Sequence, residues 1–149
     1  MLKKVLIFLV LILAAVGIFL FQSGRIYSFF QKGIVFYEAQ TKCDLHVSSC
    51  EIILEDGKNI TLDIDKPFKA GEDMSFNVQA DGFEDDEFLV QIYGLHMDMG
   101  IFEYSLAKAN ENNYKGKALL PTCMNGKMSW KVNIISKKDN IGASFILEL

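Results

Sequence analysis

Glu51–Ile64 reads EIILEDGKNITLDI, and this stretch decides the fold. Glu51 to Leu54 and Ile60 to Ile64 are short apolar-rich runs flanking Glu55-Asp56-Gly57-Lys58-Asn59. Asp-Gly tolerates the positive-φ backbone that a tight turn between antiparallel strands requires, so the stretch predicts a β-hairpin. The same grammar continues outward. Before it, Ile34–Ala39 reads as one strand. After it, Met74, Phe76 and Val78 alternate with polar residues, as a half-buried strand demands. Phe88–Leu95 (FLVQIYGL) and Ile101–Ala107 follow, and Asn110–Asn113 turns into Tyr114–Leu120. Trp130, Val132 and Ile134 share one face of the next strand; Ser136–Asn140 turns, and Ala143–Leu149 closes the chain with Phe145 and Leu147 inward. Eight or so strands, regular turn signals and no long amphipathic helix predict a mainly β domain, an antiparallel β-sandwich of Ig-like type.

The N-terminus obeys a different rule. Val5 to Phe21 reads VLIFLVLILAAVGIFLF, seventeen residues without a charge or a polar side chain. As a helix it would be roughly 26 Å long, and snorkelling flanks would let it cross a hydrocarbon core of about 30 Å. Lys3 and Lys4 precede it and hold the N-terminus in the cytoplasm by the positive-inside rule. Arg25 and Lys32 pull the other way, but without Lys3 and Lys4 the chain has 13 basic residues against 19 acidic, about −6 net. Such a domain carries no basic stripe for nucleic acid. The division predicted is an anchor over 1–22, a connector over 23–33 with interface-seeking Tyr27, Phe29 and Phe30, and an exported domain over 34–149. A cleaved signal peptide is the alternative, with Ala15-Val16-Gly17 as its small-residue site, but Ile18 to Phe21 stay apolar where such a signal should turn polar. The whole chain, 149 residues, has room for one anchor and one domain, large enough to form a core without a metal or a disulfide.

Catalysis has little purchase in this sequence. His46 and His96 lack the setting of an activated nucleophile, and there is no phosphate-cradling glycine loop, Cys-x-x-Cys or His-Glu-x-x-His. Asp85-Asp86-Glu87 reads as a solvated loop. An enzyme is not expected. A thiol oxidoreductase built on Cys123 would lack an adjacent resolving cysteine.

Soft ligands, by contrast, fall in two places. His96-Met97-Asp98-Met99 lies between two strands, and Cys123-Met124 with Met128 leads into Trp130. Imidazole, thioether and thiolate form the set that suits Cu(I). Met97 and Met99, at i and i+2, would share one face of an extended strand, or His96 and one Met could meet across a bend at Gly100, and Trp130 could stack on a bound cation. The alternative makes the methionines gap-fillers and Trp130 the core tryptophan. Cys43, Cys50 and Cys123 offer one disulfide, with Cys43–Cys50 the simplest pairing and Cys123 with either left open. Cys43, His46 and Cys50 as metal ligands match no diagnostic spacing.

The anchor, the Cys43-x6-Cys50 loop, His96-Met97-Asp98-Met99-Gly100, Tyr114 and Leu120-Pro121-x-Cys123-x-x-Gly126-x-x-x-Trp130 together resemble a group of small proteobacterial inner-membrane proteins. More loosely they are similar to the FixH and YtkA-like β-sandwich families. The similarity covers roughly residues 43 to 135. It implies a single-pass protein of the bacterial inner membrane with its domain in the periplasm, acting in copper handling or respiratory oxidase assembly. Its partners would be an oxidase subunit or a copper chaperone. Met97, Met99, Gly126 and Trp130 are the motif positions, Gly126 as a turn glycine. The repeated Met-His tracts of copper scavengers are missing.

Overall fold

A computed structural model describes residues 2–22, 33–39, 43–122 and 128–149, in two compact units, 1–34 and 35–149. The first holds helix α1 (Leu2–Gln22), 21 residues over the apolar run. Its described side chains are exposed from Val5 to Val16. Among the described residues, no helix is long and apolar enough to cross a membrane. The expected connector, with Arg25, Tyr27, Phe29, Phe30 and Lys32, lies almost wholly outside them.

The second unit is mainly β, with strands β1 (Val35–Glu38), β2 (Cys50–Ile53), β3 (Asn59–Ile64), β4 (Asp73–Asp81) and β5 (Glu87–Gly94), then β6 (Ile101–Lys108), β7 (Asn113–Leu119), β8 (Ser129–Ser136) and β9 (Ile141–Glu148). The Asp-Gly hairpin forms as the sequence predicts: Cys50–Ile53 pairs antiparallel with Asn59–Leu62, and Gly57 takes φ +83° in the turn. Alternation sets burial along β4, where Met74, Phe76 and Val78 are buried; along β8, Trp130, Val132 and Ile134 are buried, and so are Asn133, Ile135 and Ser136.

Two features depart from the expected sandwich. The strands form one nearly closed, barrel-like sheet in the order β1-β9-β8-β5-β6-β7-β4-β3-β2, not two separate sheets. Also, β1 runs parallel to β9, so the domain is not wholly antiparallel. The sheet folds at β6–β7, which share only two residue pairs, Ala107–Lys115 and Lys108–Tyr114, against seven in each neighbouring ladder. The fold lays Phe88 of one limb edge-on to Tyr114 of the other, with ring centroids 4.6 Å apart.

Ladder register defines two poles. The Asp85 pole gathers Val35, Gly57, the 82–86 loop, the β6–β7 turn and the 137–140 turn. The Met97 pole gathers the 95–100 turn and the start of β8 beside the end of β9. The sheet's two edges, β1 and β2, are consecutive in the chain, and the described part of the segment between them, 43–49, meets the end of β9 at the Met97 pole through His46 and the Glu148 carbonyl.

Candidate functional site at the Met97 pole

Strand β5 stops at Gly94 and β6 resumes at Ile101. The backbone N–H of Leu95 donates to the Ser129 carbonyl (3.0 Å), and that of Gly100 donates to the Asp98 carboxylate (3.1 Å). Gly100 takes φ +80°, which a side chain would resist. Met97 and Met99 therefore lie in a turn, and the strand-face argument for pairing them does not apply. Met97 is 42% exposed and His96 is exposed, whereas Met99 is half-buried against the core. Leu95 and Ile101 are also exposed, at 43% and 46%, so the turn presents an apolar rim to solvent.

The other candidate ligands have different fates. Met128 is buried, with its terminal methyl over Gly94, where any β-carbon would collide with it; that β-carbon would also lie 2.6 Å from the Met97 carbonyl oxygen. A glycine at 94 thus makes room for a methionine at 128, and Met128 packs the mouth of the core. Trp130 is 1% exposed and meets Phe102 edge-on at 6.2 Å, so of the two readings the sequence offers it is the core tryptophan. Cys123, Met124 and Gly126 lie outside the described residues. The structure brings His96, Met97, Met99, Met128 and Trp130 to one pole, but only the first two are exposed. Among the described residues, no group of three or more His, Cys, Asp or Glu side chains could hold a metal ion.

Cys43 and Cys50 are joined by a disulfide, which excludes Cys123 from either pairing. The loop they close places Leu45 in the core at 1% exposure. His46, which the sequence reading left idle, donates from Nε2 to the Glu148 carbonyl (2.6 Å) and stacks on Phe68, centroids 4.4 Å apart. The acceptor is a carbonyl, so Nε2 carries the proton. No periodicity announces a contact between residues 102 apart in sequence.

At the opposite pole Asp85 corrects the solvated-loop reading. It is 3% exposed; its carboxylate accepts from the Ser136 hydroxyl (2.8 Å) and the Lys138 N–H (3.4 Å), and its carbonyl accepts from the Tyr114 hydroxyl (2.8 Å). Asp86 and Glu87 are exposed, as expected of the rest of that cluster. Burial, with the charges of Asp85 and Asp86, raises the Tyr114 pKa above the usual phenol value. Lys58 bonds Asp139 across the seam at 2.7 Å, which raises the lysine pKa, and its ammonium lies 4.9 Å from the centre of the Phe83 ring. On β1 and β8, a hydrogen bond from Lys131 lowers the Glu38 pKa.

No protein-family model matches the chain, and no curated protein matches it.

Proposed function

We propose that this is a membrane-tethered, periplasm-facing accessory protein, not an enzyme, that works by binding a membrane-protein partner through its Met97 pole. One observation carries the reading: Leu95 and Met97 on the 95–100 turn, and Ile101 where β6 begins, are all exposed at the pole opposite the start of β1. The tether itself is supported by the seventeen-residue apolar run behind Lys3 and Lys4. The packing of the two limbs of the one folded sheet on a shared core supports a sandwich-like arrangement. In this reading the partner is an apolar segment of a respiratory oxidase subunit or a similar membrane complex.

The test is site-specific photocrosslinking in native membranes. A photoreactive residue at Met97 is expected to give a discrete adduct, and one at exposed Ile53 on the β2 edge is expected to give none. Equal yields at both positions would end the proposal.

Copper is the second reading, favoured by the gathering of His96, Met97, Met99 and Met128 at one pole. Anaerobic Cu(I) titration against a competing chelator decides it. Binding tighter than about micromolar that is lost in Met97→Ala/Met99→Ala supports a copper module, and binding unchanged in that variant removes it.

A further inference from the structure

We propose that the Cys43–Cys50 bond is a redox latch on the seam between the sheet's two edges, opened by a dithiol reductant and closed again by exchange with a partner disulfide, which leaves as the dithiol. The loop sits where the chain passes from β1 to β2, one edge strand to the other. Within it, the Val47 and Ser48 N–H groups donate to the Asp44 carbonyl, and the His46 N–H donates to the Asp44 carboxylate. That compact turn drives Leu45 into the core and lays His46 on the Glu148 carbonyl and the Phe68 ring. The seam at this pole is thus held by side chains whose positions depend on a covalent clip.

The two sulfurs differ in access, which fixes the chemistry. Cys43 is half-buried and Cys50 is 2% exposed, so the attack is placed at Cys43, the less buried of the two residues. Its attack forms a mixed disulfide and breaks the Sγ–Sγ bond, and Cys50 leaves as a thiolate that takes up a proton. The reductant's second thiolate then attacks its own sulfur in the mixed disulfide and releases Cys43 as a thiol. The reductant ends as a disulfide, and the protein has gained two electrons and two protons.

Opening stays local because the sheet does not need the clip. Strand β9 keeps eight residue pairs with β8, and β2 keeps four with β3. What loosens is the loop, the end of β9 that His46 touches, and Met128, whose N–H and carbonyl exchange hydrogen bonds with Leu149.

The experiment is hydrogen exchange on the full chain in detergent, oxidised and after dithiothreitol treatment. Reduction is expected to speed exchange about tenfold or more across 43–52 and 145–149 and to leave β4, β5 and β7 unchanged. Reoxidation is expected to restore the first pattern, and Cys43→Ser/Cys50→Ser to reproduce the reduced one. In the oxidised chain, His46→Ala is expected to speed exchange at 145–149 while 50–52 stays protected. The latch is overturned by a bond that resists dithiothreitol in the folded protein, by reduction without local change, or by accelerated exchange throughout the sheet.

Discussion

At the Asp85 pole the seam between the sheet's edges is spanned by Lys58 and Asp139, 2.7 Å apart; at the Met97 pole it is spanned by the Cys43–Cys50 loop. The first closure is a partly exposed ion pair, worth up to about 1 kcal/mol and sensitive to pH and salt. The second is covalent, and closing so short a loop restricts the unfolded chain by roughly 2–3 kcal/mol on chain-entropy grounds. The surroundings invert that order. Beside the weak ion pair, Asp85, Ser136, Lys138 and Tyr114 form a buried hydrogen-bonded knot. Beside the covalent loop, the 95–100 turn leaves Leu95 and Met97 uncovered. One pole is fixed by many interlocking polar contacts. The other is closed by a covalent clip and a few backbone bonds, and its 95–100 turn leaves Leu95 and Met97 exposed.

The comparison breaks most easily at Asp85. Asp85→Ala removes the acceptor for the buried Ser136 hydroxyl and for the Lys138 N–H, and buried polar groups left unpaired are costly. A loss of about 2–3 kcal/mol in chemical denaturation is expected. A loss within about 0.5 kcal/mol, as at an ordinary surface position, would mean that the knot does not hold its pole.

Gly94→Ala tests the packing at the other pole. The new methyl meets the Met128 terminus, which can move, and the Met97 carbonyl at 2.6 Å, which is backbone. Overpacking should cost about 1–2 kcal/mol, and part of it should return when Met128→Ala is added, read as a coupling in a double-mutant cycle. Strict additivity would show that Met128 does not fill the space beside Gly94.

High pH separates the poles next. The Lys58 and Tyr114 pKa values are both raised in the fold, so each contributes stability below its ordinary value, 10.5 and 10.0, and loses it as pH rises through the folded value. Thermal stability should therefore fall above about pH 10. Lys58→Met should remove about 0.5–1 kcal/mol of that fall, and Tyr114→Phe should remove its own share. An alkaline profile identical in both variants and the parent would place its origin elsewhere.

Much of this was legible in the sequence, and the losses have physical causes. Alternation along DMSFNVQA and the Asp-Gly turn encode strands because side chains in a strand alternate between faces. Nothing in VFYE encodes direction, so the parallel pairing of β1 with β9 could not be read. Whether two limbs make one sheet or two depends on two residue pairs at β6–β7, below the reach of any pattern. Asp85 looked like its solvated neighbours because its acceptors' partners lie 51 and 53 residues away. The turn that overturned the Met97–Met99 face argument was signalled, since Gly94 and Gly100 bracket it.

The smallest expected effect on stability is the most informative about function. Met97 is 42% exposed, and of its atoms the carbonyl is the one that approaches Gly94, so trimming its side chain removes little packing. Met97→Ser should leave the midpoint of unfolding within about 0.5 kcal/mol of the parent, although Gly94→Ala, three residues away, shifts it measurably. If the turn is the binding end, the same Met97→Ser chain should compete poorly with the parent for the photocrosslinked partner, because the apolar rim between Leu95 and Ile101 is interrupted. A stable variant that competes as well as the parent would assign the exposed turn no part in binding. A variant that loses several kcal/mol would show that Met97 belongs to the packed wall of the core, and the contrast between a knotted pole and an open one would fail at its open end.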